Sequence, residues 1–173
     1  MKKTLLTAAL SISLGACSAQ QSPLETVEYV DLERFMGDWY VIAHIPTFLE
    51  DTSYNAIERY ELDEDGNIPT TFTFNEGGFD GKQKKYEPKG FVTDTESNAV
   101  WGMRFVWPIK ADYRIIYLDE DYQVTIIGRN KRDYVWLMAR EPQIDESTYQ
   151  DAMDMISAVG YDMSEMRKVP QKW

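Results

Sequence analysis

Three observations predict an all-β fold, an eight-stranded up-and-down antiparallel calyx barrel with one C-terminal α-helix packed outside. After residue 30, short runs rich in aromatic and β-branched residues recur eight times. The turns between them are short, which suits antiparallel neighbours and not parallel crossovers. One amphipathic stretch, residues 147–159, follows the last run and has helical spacing. At 173 residues, the chain reads as one domain.

The runs are taken in order. WYVIAHIP (39–46) is the first strand, and YNAIERYEL (54–62) the second. Asp65-Gly66-Asn67 makes the hairpin that leads to TTFTFNE (70–76). GGFDG then breaks the pattern. KKYEPKGFVTD (84–94) carries Pro88, which lacks an N–H and marks an edge or a bulge. AVWGMRFVW (99–107) alternates strongly. YRIIYLD (113–119) turns at Glu120-Asp121 into YQVTIIG (122–128), and a turn at 129–133 leads to YVWLMAR (134–140). A helix is predicted over about 146–159, with Asp145 or Ser147 as its cap and Gly160 as its end. The tail MRKVPQKW adds a short ninth strand.

The N-terminus sets the compartment. Lys2 and Lys3 precede the apolar run LLTAALSISL (5–14), which has signal-peptide length and is too short to span a bilayer. LGACS follows and holds the single cysteine, Cys17. Leu14-Gly15-Ala16-Cys17 resembles the lipobox of bacterial lipoproteins, in which the peptide is cut before the cysteine and the cysteine carries the acyl chains, palmitate among them. The resemblance implies a signal peptide at 1–16 and a membrane anchor at Cys17. Ser18 stands where an aspartate would favour inner-membrane retention, so the expected place is the outer membrane. Residues 17–30 then hold the acylated cysteine and a polar, flexible tether, and 31–173 the barrel.

Charge and cysteine count narrow the function classes. The net charge of -11 disfavours nucleic acid as a partner. Loss of Lys2 and Lys3 with the leader takes it to -13, so the protein hangs from its anchor and does not lie on an anionic surface. One cysteine and one histidine, His44, exclude a disulfide framework and a multi-histidine metal site. No cofactor and no metal are expected.

Alternation assigns the barrel interior. In 99–107 the phase with Trp101, Met103 and Phe105 is large and apolar and is taken as inward. The corresponding phases are Phe72 and Phe74, then Tyr113, Ile115 and Tyr117, then Tyr134, Trp136 and Met138. In the first strand Trp39, Val41 and Ala43 face inward and His44 outward. In the second, Ala56, Glu58, Tyr60 and Leu62 share the inner phase. A lone buried carboxylate is costly, which places Glu58 near the open end, in water, within reach of a polar head group. Two readings of this interior stand: the bulky side chains fill the barrel, or they line an apolar cavity.

Gly37-Asp38-Trp39-Tyr40 at the start of the first strand resembles the lipocalin signature. Leu118-Asp119-Glu120-Asp121-Tyr122 is similar to the second motif of that family, and Arg140 matches the third. The runs 31–40 and 133–140 are especially similar to the branch of bacterial outer-membrane lipocalins and apolipoprotein D. The resemblance covers 31 to about 171. It implies that Gly37, Trp39, Asp119, Tyr122 and Arg140 are structural, with Arg140 stacked on Trp39 across the closed end. Pro69, Pro88 and GGFDG depart from a regular ladder on one side.

The expected function is that of a lipid-binding outer-membrane lipoprotein. A fatty acid, lysophospholipid or similar apolar ligand would be stored or transported on Phe72, Phe74, Trp101, Met103, Phe105, Tyr113, Ile115, Trp136 and Met138, with its head near the mouth and Glu58. The alternatives are a filled-barrel structural or interaction lipoprotein and an enzyme on this fold. No G-x-S-x-G elbow is present, and catalysis is not expected. Trp107 and Trp173 offer aromatic surface for a homodimer.

Overall fold

The computed structural model describes residues 22–173; the expected signal peptide and Cys17 lie outside the described residues. The strand segments are β1 (Gly37–Ile45), β2 (Ser53–Tyr60), β3 (Asn67–Glu76), β4 (Lys82–Tyr86), β5 (Lys89–Val92), β6 (Val100–Val106), β7 (Ile109–Leu118), β8 (Val124–Gly128) and β9 (Val135–Ala139). Along the order β1-β2-β3-β5-β6-β7-β8-β9 each pairs antiparallel with the next, and β9 returns to β1, so the sheet closes on itself. Segments β4 and β5 both pair with β3 and form one strand interrupted at Glu87-Pro88. Counted so, the barrel has eight strands, as expected. Closure removes the unpaired edges that an open sheet of this size would expose.

A short helix, α1 (Leu32–Phe35), precedes β1. Asp31 caps it by accepting from the Arg34 N–H. Helix α2 (Glu146–Ala158) follows β9, and Asp145 is its N-cap, accepting from the Thr148 N–H at 2.8 Å. Ala152 and Ile156 bury its apolar face on the outer wall of the barrel. The tail forms β10 (Arg167–Lys168), which pairs with β1.

Two apolar layers result. Trp39, Tyr60, Phe72, Trp101, Met103, Ile115 and Met138 lie inside the barrel. Ala43, Ile126, Leu137, Ala139, Ala152 and Ile156 lie between the wall and α2. Both layers belong wholly to the span 24–173.

Two bulges change the phases read by strict alternation. The β1–β9 ladder slips between Val41 and Ala43. Beyond it Ala43 packs under α2, and His44 stands opposite inward-facing Trp136 and is 2 % exposed. This corrects the expectation of an outward His44, because one extra residue reverses every later side chain. The β7–β8 ladder slips between Ile115 and Tyr117, which turns Tyr117 outward. Leu62 falls beyond the end of β2 and is exposed. Part of the segment expected to be a flexible tether, 17–30, is held against the barrel. Leu24 is buried, and the N–H groups of Val27 and Val30 donate to the carbonyls of Ile115 and Ser97.

One end of the barrel is shut. The Arg140 guanidinium lies 3.9 Å above the Trp39 ring. Its Nη1 donates to the Asp38 carbonyl at 2.8 Å, and its Nη2 is shared among the carbonyls of Arg34, Phe35 and Met36 at 2.9–3.0 Å. The Trp39 indole N–H donates to the Phe35 carbonyl at 2.8 Å. Gly37 has φ +98°, and a Cβ there would stand 3.3 Å from Arg140 Nη1. The hairpin after β7 joins this end. Asp119 accepts from the N–H groups of Gln123 and Val124, and the Tyr122 hydroxyl accepts from the Asp31 N–H at 2.9 Å.

Removing the guanidinium strips a cation–π contact and several charge-assisted hydrogen bonds at once. Arg140→Ala is expected to destabilise by about 3 kcal/mol in urea unfolding. Arg140→Lys is expected to recover less than half of that, because an ammonium cannot present the planar fork.

Candidate functional site

The interior divides into a filled lower half and an open upper half. Near the shut end the rings of Phe35, Trp39, Tyr60 and Trp101 pack on one another, with centroids 5.0–5.8 Å apart. Above them is a cavity of about 260 Å³. Phe72 from β3, Met103 and Phe105 from β6, Ala111 and Tyr113 from β7, and Trp136 from β9 form its wall. Phe48, Leu49 and Glu50 enter from the loop between β1 and β2. The two readings of the interior are thus each right for one half of the barrel.

The residues expected to line the site separate accordingly. Phe72, Met103, Tyr113 and Trp136 face the cavity. Trp101, Ile115 and Met138 point inward as expected but belong to the packed core and do not reach the cavity. Trp101 lies beneath it, stacked on Tyr113 at 5.3 Å and 9°. Phe74 is likewise cut off, stacked between Phe72 and Tyr86. Phe105 reaches the cavity but is half-exposed. The β5–β6 pairing stops at Arg104, and the β6–β7 register slips above Met103, so the wall loosens there. Trp107 lies at the exposed tip of this hairpin, and Trp173 is exposed on the far tail beside Tyr40.

Glu58 requires the largest correction. It stands opposite Trp39, deep in the barrel, and is 8 % exposed, so it is not in water near the mouth. The Tyr60 hydroxyl donates to its Oε2, and the hydroxyls of Tyr60 and Tyr113 are in hydrogen-bond contact. Burial, aided by the nearby charge of Glu50, pushes the Glu58 carboxyl up to about 8. The same burial, with the charge of Glu58, raises the Tyr113 phenol well above its ordinary range. A carboxyl in this state is largely protonated at neutral pH, which is how the fold tolerates it.

Glu50 is a feature that sequence reasoning missed. It is 3 % exposed, accepts from the Trp136 indole N–H at 3.2 Å and from the Thr47 N–H at 3.0 Å, and lies 3.7 Å from His44 Nδ1. No periodic signal marks a carboxylate carried into a barrel by a loop. At the mouth, Arg129 lines the cavity and pairs with Asp133 at 3.4 Å. Phe48, Val106, Trp107 and Ile109 form an exposed apolar rim.

A barrel shut by an arginine plug and open to an apolar cavity at the other end defines a calyx-type binding protein. Residues 30–171 match the family described as Lipocalin-like domain, and the chain belongs to the lipocalins. It is 32 % identical over 161 residues to temperature-induced lipocalin-1 of Arabidopsis thaliana, covering 88 % of this chain and 85 % of that protein. It is 28 % identical over 160 residues to the outer membrane lipoprotein Blc of Escherichia coli, covering 90 % and 89 %. Among solved structures, insecticyanin from the tobacco hornworm Manduca sexta shares the fold, with a TM-score of 0.67 at 14 % identity over 86 % of this chain and 84 % of that one.

The buried carboxyl has a consequence for stability. The unfolded chain ionises Glu58 near 4.5, whereas the folded protein holds its proton to about 8. Between these values the native state binds more protons, so Glu58 lowers stability as pH rises, with a slope of up to about 1.4 kcal/mol per pH unit. Glu58→Gln is expected to match the wild type near the lower value and to exceed it in stability near the upper one. Urea unfolding of both proteins across that window checks the sign.

Proposed function

We propose that the protein is a lipid-binding lipoprotein of the bacterial outer membrane, and that its cavity holds the chain of a fatty acid, lysophospholipid or similar single-chain amphiphile for storage or transport in the envelope. The observation that carries this reading is the apolar cavity, open at one end of a barrel whose other end is plugged. Its wall of Phe72, Met103, Ala111, Tyr113 and Trp136 suits a methylene chain of no fixed shape, and Met103 can follow it by changing rotamer. Burial yields about 0.8 kcal/mol per methylene, so ten methylenes give roughly 8 kcal/mol before the cost of association.

Binding is favoured over catalysis. The lining is mostly apolar, and its acids are held in place: Glu50 by Trp136 and Thr47, Glu58 by Tyr60, and Asp112 by Arg114 and the Asn130 N–H. The lipobox-like LGACS and the similarity to Blc support an anchor at Cys17 and an outer-membrane location. Three acyl chains would hold the protein far more firmly than the marginal grip of one.

Tryptophan fluorescence of a chain beginning at Ser18, titrated with palmitate and with a lysophospholipid, is expected to show saturable quenching by at least one ligand at micromolar concentration or below. Ala111→Trp, which places an indole in the cavity, is expected to weaken that binding at least tenfold while leaving a cooperative melt. Absence of saturable binding by either ligand would remove the lipid-carrier reading. Cys17→Ser is expected to move the protein from the outer-membrane fraction to the soluble periplasmic fraction, read by fractionation and immunoblotting.

A further inference from the structure

Three carboxyl groups reach a mostly apolar cavity: His44 lies beside Glu50 and Arg114 pairs with Asp112, whereas Glu58 has no basic partner among the described residues. Glu50 and Glu58 are both more than nine-tenths buried and both line the cavity. Glu58 accepts one hydrogen bond, from Tyr60 on Oε2, and its Oε1 has no partner among the described residues. Of the cations nearby, Arg114 pairs with Asp112 on the wall, and Arg129 at the mouth pairs with Asp133 through Nη1 and leaves its buried Nε without a partner among the described residues; neither pairs with Glu58. Around Glu58 the cavity presents the rings of Phe72, Tyr113 and Trp136. A carboxyl among aromatic faces, with an unused oxygen and no cation of its own, is the environment in which an ammonium group is bound.

We propose that the inner end of the cavity, formed by Glu58 with Phe72, Tyr113 and Trp136 and backed by Glu50, is a subsite for the ammonium head of a long-chain amine, which enters head first and leaves its chain toward the apolar mouth. This rests on the lipid-binding reading of the same cavity and specifies the head group that it selects. A carboxylate entering head first would meet Glu50 and a carboxyl that must stay protonated. A carboxylate left at the mouth would forgo the inner polar contacts. The outer half of the cavity, with Met103, Phe105 and Ile109, is apolar and matches the chain.

The selection is coupled to protons. An ammonium is held best by ionised Glu58, so binding it releases a proton, and its affinity rises with pH through about 8. A carboxylate shows the opposite slope. The other titratable or charged groups around this end are Glu50 from the β1–β2 loop, His44 on β1, Tyr60 on β2, Asp112 and Tyr113 on β7, and Arg129 after β8.

The test uses three probes of equal chain length, dodecylamine, dodecanol and dodecanoate, each below its micelle concentration. They are titrated into the chain beginning at Ser18, which retains both apolar layers of the barrel, with tryptophan fluorescence as the readout. Dodecylamine is expected to bind at least tenfold more tightly than dodecanoate at neutral pH. Glu58→Gln is expected to bring the amine-to-carboxylate preference below twofold. Without any substitution, the amine-to-carboxylate affinity ratio is expected to increase at least threefold from about pH 7 to about pH 9, below the range where an alkylammonium deprotonates. Equal binding of all three probes, or an alcohol that binds as well as the amine, would overturn the subsite and leave the lipid-carrier reading standing. Binding of none would overturn both.

Discussion

The contact on which the rest of the structure depends is the stack of Arg140 on Trp39. It gathers the carbonyls of Arg34, Phe35, Met36 and Asp38, ties the start of β1 to the end of β9, and shuts one end of the barrel. A closed sheet needs such a floor, because open carbonyls at a strand end would admit water to the interior. With one end sealed, the cavity opens at the other end, and any ligand enters past Phe48, Val106 and Ile109. The direction of access therefore follows from the plug.

Above the plug, aromatic volume sets the depth of the cavity. Phe35, Tyr60 and Trp101 fill the lower barrel, and Tyr113 lies on Trp101 as the first ring that the cavity meets. Trp136 continues the series, 6.4 Å from Tyr113 and nearly parallel to it. The polar groups are threaded through this column. Glu58, Tyr60 and Tyr113 are linked by hydrogen bonds inside it, and Glu50 is held by Trp136 and Thr47. A buried acid persists here because it keeps its proton, and that property makes the site sensitive to the charge of whatever enters.

Much of this was legible in the chain itself. Alternating runs with turn residues between them specify antiparallel strands, and their number and short connections specify a closed barrel. The inward phase of 99–107 could be read from Trp101 and Met103, because a barrel interior accepts large apolar groups and its surface does not. The floor could be read from Gly37, Trp39, Asp119, Tyr122 and Arg140 by resemblance, since those residues answer to one local geometry. The helix at Glu146–Ala158 could be read from its spacing and from Asp145. These features depend on neighbours in sequence or on period, which a sequence displays directly.

What a sequence does not display is where a ladder slips. The bulge between Val41 and Ala43 turned His44 inward, and no residue there announces it. Position along the barrel axis was also hidden. Alternation reports inside against outside but not depth, so Glu58 read as an inward residue without revealing that it lies opposite Trp39, at the inner end of the cavity. Trp101, Ile115 and Met138 were correctly turned inward yet fall below the cavity, because the filling of the lower half is decided by rings from distant strands meeting at one level. Glu50 was invisible because a loop carries it in. The sequence alone determined the strand pattern, the closed barrel and, by resemblance, the plug, all of which are written in local or periodic residue order. Only the tertiary structure decided how deep the cavity runs and which charges it contains, because both depend on register between strands that no single strand encodes.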